Sequence, residues 1–184
     1  MIFFKKSEEV IFNGYKNRKK TLLLQYNSFG TTRSMEIIRA TKTAEQAGAY
    51  YVRIQAMARK HQIPLHVEFD EHDTPETMYI VAIDDFLPVA TCRLYPLDES
   101  RMMLGRIVVL PEYRHQGLGT EVVKAAEKWA REIGYTKAVV ESRDNKIHFY
   151  ETMGYVPDYS EKIVGETFTC YRMEKELIVG SLGV

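Results

Sequence analysis

The chain lacks an excess of charge of either sign. Lys+Arg and Asp+Glu each number 25 among 184 residues, so the formal net charge is zero. That argues against a general nucleic-acid binder, which carries a basic surplus. Cysteine is scarce: Cys92 and Cys170 make neither a disulfide framework nor a metal-ligand spacing, and each reads as a small apolar strand residue. No apolar run approaches the roughly 20 residues of a membrane span. The N-terminus, Met1-Ile-Phe-Phe-Lys-Lys, places apolar before basic residues, the reverse of a secretory signal. A reducing cytoplasm is therefore the expected compartment. Internal repeats and low-complexity segments are also missing.

What remains is an ordinary globular composition, long enough for one domain with a sizeable core and an appendage. Its organising stretch is Arg106-Ile-Val-Val-Leu-Pro-Glu-Tyr-Arg-His-Gln-Gly-Leu-Gly-Thr-Glu-Val-Val123. It reads as a short strand, a Pro-started turn, a glycine-bearing loop and the start of a helix. Such a loop presents unpaired backbone N–H groups in one direction, and the helix dipole adds partial positive charge. Gly117 and Gly119 have no side chain to keep a ligand off the backbone, and Arg114 and His115 can add donors. The pattern is that of a phosphate or pyrophosphate cradle. It contains no Gly-Lys-Ser/Thr of a P-loop, and the three-glycine dinucleotide fingerprint is incomplete.

In chain order, residues 1–34 form an N-terminal appendage. Glu9–Asn13 and Thr21–Tyr26 flank a basic connection, a hairpin pattern, and Asn27–Ser34 reads as a linker. Met35–Thr41 begins the main domain, 35–184, as a strand; translation starting at Met35 is an alternative that mass spectrometry of the native N-terminus decides. Thr43 is the expected N-cap of a helix over 44–62, with Ala47, Tyr51, Ile54, Met57 and Ala58 as its buried stripe. Residues 63–73 are expected to be a polar loop dense in carboxylates. Strands follow at 77–83 and 89–95, joined by a short turn, and at 101–110. A helix over 120–133, with Val122, Val123, Ala126, Trp129, Ala130 and Ile133 on its apolar face, ends at Gly134. A strand at 137–141, a helix at 145–153, and strands at 155–156 and 166–177 complete the order β α β β β α β α β β, with 178–184 unassigned. That order implies a mixed α/β sheet with helices on its faces.

Arg114-x-x-Gly117-x-Gly119 after Val109-x-Pro111 resembles the acyl-CoA loop of the GCN5-related N-acetyltransferase (GNAT) superfamily, and the element order is similar to the GNAT fold. A second segment, Phe149-Tyr-Glu-Thr-Met-Gly-Tyr155, resembles that family's Phe-Tyr-Glu-x-x-Gly-Phe/Tyr. A third, Ile63-Pro64-x-x-x-Glu68-x-Asp70-x-x-Asp73, resembles the small bacterial ElaA/YjcF-like branch. The resemblance implies a central mixed sheet of six to seven strands, splayed between the fourth and fifth, and acetyl-CoA as the acyl donor. The strand holding Ile107, Val108 and Val109 would pair with the pantetheine arm. The loop Arg114, His115, Gln116, Gly117, Leu118, Gly119 and Thr120 would hold the pyrophosphate. Tyr150 would protonate the leaving thiolate, since a tyrosine keeps its proton at neutral pH. The asparagine of this segment in the family stands where this chain has Arg143; Asn145 is displaced by two residues as a contact for the pantetheine.

Attack by an amine also requires the nucleophile to be neutral, so a carboxylate is expected as base. Glu68, in the acidic loop, is the first candidate and Glu141 the second. The cluster Glu68, Asp70, Glu71 and Asp73 would attract a cationic acceptor. His66-x-Glu68-x-Asp70-x-His72 would share a face on an extended strand and could take a divalent ion, but direct thioester aminolysis needs no metal and none is expected. The expected partner is a small-molecule or peptide amine. Alternatives are a catalytically silent acyl-CoA-binding module, an RNA- or partner-binding role for Lys16–Lys20, and a homodimer built by the N-terminal strands.

Overall fold

The computed structural model describes residues 35–165 and 169–177. The expected hairpin of the appendage, the Met35 start and the 178–184 tail lie outside the described residues.

Among the described residues seven strands form one sheet in the order β1-β2-β3-β4-β5-β7-β6. They are β1 Met35–Ala40, β2 Met78–Asp84, β3 Leu87–Pro96, β4 Arg101–Val109, β5 Lys137–Arg143, β6 Val156–Val164 and β7 Thr169–Glu176. All neighbours are antiparallel except β4 and β5. The β2–β3 connection is a two-residue turn, Asp85 and Phe86, with φ of 51° and 89°. Positive φ at both positions matches the right-handed twist of the flanking strands.

The β4–β5 pairing is short. It runs only from Arg101–Lys137 to Met103–Val139, after which the strands separate. The expected splay between the fourth and fifth strands is present. Within the stretch that has parted from β5, β4 carries a bulge: Thr91 faces Val108 and Arg93 faces Gly105, so Arg106 and Ile107 together oppose Cys92. Arg106 takes φ of 48°, the left-handed conformation characteristic of one bulge type.

Helices cover both faces. Helix α1, Thr43–Arg53, continues as a π-helical turn over Ile54–Arg59, and a short α2 spans Leu65–Glu68. Lys42, not Thr43, is the N-cap of α1, and the Glu45 carboxylate accepts from the Thr41 and Lys42 amides at 3.1 and 3.3 Å. The buried face of α1 is also rotated from the expected stripe. Of that stripe Ala58 is buried and Ile54 and Met57 are half-buried, but Ala47 and Tyr51 are exposed, whereas Gln46, Ala49, Val52 and Arg53 are buried. Two polar side chains lie inside because each finds partners there: Gln46 Nε2 donates to the Pro75 and Thr77 carbonyls at 2.9 and 2.8 Å, and Arg53 meets an acidic cluster.

On the other face, α3 spans Leu118–Glu132, two residues longer at its start than expected, and α4 spans Ile147–Glu151 after a 3-10 turn at Asp144–Lys146. Val122, Val123, Ala126, Trp129 and Ala130 are buried, but Ile133 is 45% exposed at the helix end. Gly134 and Gly154 stop the two segments with φ of 102° and 88°. β6 extends to Val164, well past the expected 155–156. Of the expected 166–177 strand, 169–176 is present and 166–168 lies outside the described residues.

Candidate active site

The opening between β4 and β5 leads to the loop after β4. By the alternation of an antiparallel ladder, the Leu110 amide donating to Val89 O at 2.9 Å turns the intervening Val109 amide away from β3. Ile107 and Val109 therefore aim their N–H groups at the side where β5 has withdrawn.

Pro111–Tyr113 then makes a 3-10 turn, and His115 and Gly117 take φ of 61° and 81°. Gly117 is the N-cap of α3, and among the described residues no side chain caps the helix. The Glu121 amide is the first to reach a helical acceptor, Gly117 O at 3.1 Å. Among the described residues no protein group accepts from the amides of Leu118, Gly119 and Thr120, the orphan donors of a helix start. Gly119 sits against the next element: a methyl group there would lie 3.6 Å from Phe149 Cζ and 3.9 Å from Val109 Cγ2. The loop is thus packed onto both the splayed strand and α4. Arg114 turns back instead, its Nε donating to the Val109 carbonyl at 3.0 Å. His115 and Gln116 are exposed.

Tyr150 follows Phe149 on α4, with ring centroids 4.9 Å apart, and is 8% exposed. Burial is the main reason its pKa rises above the ordinary tyrosine value, with Cys92 and Cys170 adding to the shift and the Arg143 charge opposing it. The hydroxyl therefore holds its proton throughout the neutral range. Gly119 of the loop and Tyr150 thus both flank Phe149. Asn145, by contrast, is exposed in the 3-10 turn.

The acidic segment differs from its sequence reading. It is not a solvated loop, nor an extended strand with its two histidines and acids on one face. Glu68 ends α2 and is 1% exposed; Arg53 Nε donates to it at 2.8 Å and Arg106 Nη1 stands 3.7 Å away. A second Arg53 nitrogen donates to the Glu68 carbonyl. Asp73 takes Arg53 Nη1 at 2.5 Å, Arg93 Nη1 at 2.8 Å and the Tyr79 hydroxyl. Asp70 takes Arg93 at 2.7 and 3.0 Å and Arg106 Nη2 at 2.8 Å. Burial works to raise the Asp70 pKa, but the Arg93 and Arg106 hydrogen bonds outweigh it and hold it at about 2. Three arginines thus face three carboxylates. Only Glu71 of the expected attractive cluster stays exposed, so the segment offers a cationic acceptor little net field. Glu141, the second base candidate, lies within β5 rather than at its end, 39% exposed, with Arg172 at 3.4 Å.

Two features were missed. Arg143, in place of the family asparagine, is half-buried at the end of β5, with Nη2 3.8 Å from Met57 Sδ. Its pKa is lowered by burial, and it senses Glu68, Tyr150 and Arg114; a cation at that motif position was the available signal. A cavity of about 390 Å³ is lined by Tyr51, Gln55, Arg59, Lys60 and Leu110–Glu112. Tyr51, Gln55 and Arg59 follow one another at four-residue steps on the helix carrying the π turn, a spacing that the search for an apolar stripe passed over.

The Acetyltransferase (GNAT) family matches residues 39–155. The chain is 29% identical over 121 residues, 66% of its own length and 85% of the relative's, to the uncharacterized N-acetyltransferase YjcF of Bacillus subtilis. It is 31% identical to an N-acetyltransferase from Lactobacillus plantarum whose crystal structure superposes with a TM-score of 0.74, covering 78% of this chain and 99% of that one. A GNAT family acetyltransferase from Elizabethkingia anophelis, crystallised with acetyl-CoA bound, shares the fold at a TM-score of 0.57 and 18% identity, covering 77% of this chain and 97% of that one. The chain belongs to the GNAT family and is an acyl-CoA-dependent N-acetyltransferase.

Proposed function

We propose that this enzyme transfers an acetyl group from acetyl-CoA to a primary amine by direct attack on the thioester. One observation supports the reading best: the Leu118, Gly119 and Thr120 amides find no acceptor among the described residues, and Gly119 packs between Val109 of the parted strand and Phe149, the neighbour of the buried Tyr150. The orphan amides of Leu118, Gly119 and Thr120 receive the pyrophosphate. The pantetheine enters the β4–β5 opening and pairs with Ile107 and Val109. The amine attacks the thioester carbon, the Val109 amide donates to the oxyanion of the tetrahedral intermediate, and collapse expels the thiolate. Tyr150 gives that thiolate its proton.

The acceptor ammonium loses one proton before it can attack, and the nitrogen of the tetrahedral intermediate loses a second as the amide forms. Glu68 is poorly suited to take either, because its carboxylate already accepts from Arg53 inside the protein. Glu141 is accessible, so it is the better of the two candidates, directly or through a water. The acceptor itself is sought by its charge. Among the described residues, Arg59 and Lys60 line the cavity beside the end of β4 with one acid, Glu112, which favours an amine bearing a carboxylate or phosphate over a polyamine.

Calorimetric titration with acetyl-CoA tests the first half of this reading, with binding at micromolar ligand expected; no heat at millimolar ligand from folded protein would remove it. Coenzyme A release across a panel of amino acids, phosphorylated amines, polyamines and peptides tests the second. An enzyme that binds acetyl-CoA and acylates none of them would instead fit the silent binding module.

A further inference from the structure

The β4 bulge has an arginine where its backbone conformation suits glycine. Arg106 adopts φ of 48° although Gly105 stands next to it. A side chain in that region persists only when its surroundings hold it. Arg106 Nη2 donates to Asp70 Oδ2 at 2.8 Å and to the Val67 carbonyl at 3.4 Å, and Nη1 lies 3.7 Å from Glu68 Oε2. Asp70 is at the same time gripped by Arg93, at 2.7 and 3.0 Å. Arg93 is the β3 residue directly opposite Gly105. One carboxylate thus ties together the two strands on either side of the bulge. Asp70 is itself fixed, since its amide donates to Asp73 Oδ2 at 2.9 Å.

The bulge has a consequence for the opening. The extra residue shifts the alternation of β4, so that Ile107 and Val109, rather than their neighbours, point their amides away from β3. We propose that Asp70 and Arg106 are positioning residues: their ion pair holds the β4 bulge and thereby aims the Ile107 and Val109 amides into the β4–β5 opening. This rests on the reading that those amides meet the pantetheine and the oxyanion. The acidic segment of the sequence is then an alignment device for the cosubstrate strand and not a lure for the acceptor.

Glycine provides the test, because it accepts φ of 48° with no partner to hold it. Arg106→Ala, Arg106→Gly and Asp70→Asn are compared with the parent by acetyl-CoA calorimetry. Amide hydrogen exchange at Val108 and Leu110 is followed in the ligand-free protein. Arg106→Ala and Asp70→Asn are expected to bind acetyl-CoA roughly tenfold more weakly, as misplaced positioning groups do, and to exchange faster at Leu110. Arg106→Gly is expected to recover most of the affinity and protection. Equal affinity and exchange in Arg106→Ala and the parent overturn the proposal. So does an equal deficit in the alanine and glycine variants, which would mark a general loss of stability. If the parent does not bind acetyl-CoA, the reading of the site fails separately. The exchange comparison then still judges the bulge.

Discussion

Arg53 Nε lies 2.8 Å from Glu68 Oε1, with 0% and 1% of the two side chains exposed. A charge pair so enclosed is a poor place to remove one partner, because the other is left uncompensated. Glu68→Gln and Arg53→Met should each destabilise the protein by about 3–5 kcal/mol. Urea unfolding of the singles and of the double Arg53→Met/Glu68→Leu checks this. The double should lose less than the sum of the singles.

Tyr150→Phe removes only a hydroxyl from a buried ring. Turnover should fall by about 10²–10⁴-fold, the range for a lost general acid, while acetyl-CoA affinity stays within about twofold. The sign of the pH dependence follows from the raised pKa. A tyrosine needed in its protonated form stays competent until pH passes its folded value, so the alkaline fall in turnover should lie above the ordinary tyrosine range near 10. Turnover unchanged across pH in Tyr150→Phe would take the residue out of the mechanism.

The two loop glycines should respond differently. Gly117 sits at φ of 81°, and a Cβ there meets none of the described residues within 4 Å, so Gly117→Ala suffers from conformation alone. A loss of about 1–2 kcal/mol is expected, with weaker acetyl-CoA binding. At Gly119 a Cβ makes ordinary contacts with Phe149 and Val109. Gly119→Ala should keep its stability within about 0.5 kcal/mol. Thermal unfolding and calorimetry on both variants separate the two cases.

Acid should weaken the fold through Asp70. Its folded pKa of about 2 lies below the unfolded value, so its contribution is complete above the unfolded carboxylate pKa near 4 and disappears as pH falls through the folded value. Urea midpoints should be level between about pH 5 and 8 and decline from about pH 5 toward 2. Asp70→Asn should flatten that decline.

Much of this was legible in the residues themselves. The order of elements along the chain could be read because Met78–Ile83 and Ala138–Val140 are apolar runs and Val89–Leu94 is rich in strand formers, each bounded by turn residues. The loop could be read because Gly117 and Gly119 leave so few alternatives. β6 was underestimated because its centre is polar, Asp158 through Lys162, as suits an edge strand with exposed Tyr159 and Val164. The face of α1 was misplaced because Gln46 and Arg53 are buried by partners distant in sequence. The neutralisation of Asp70 and Asp73 was hidden for the same reason: Arg93 and Arg106 approach them only after β3 and β4 have paired. Nothing in a one-dimensional pattern marks Arg106 as left-handed.

The short contact between β4 and β5 also bears on how the molecule breathes. Strands β1–β4 and β5–β7 are stitched along their shared border by three facing residues each, Arg101–Met103 against Lys137–Val139. That border is the natural line of partial opening, where local unfolding costs least. A cosubstrate lodged in the gap would act as mortar between the halves. The C-terminal three strands should then gain protection from exchange in proportion to the logarithm of acetyl-CoA concentration.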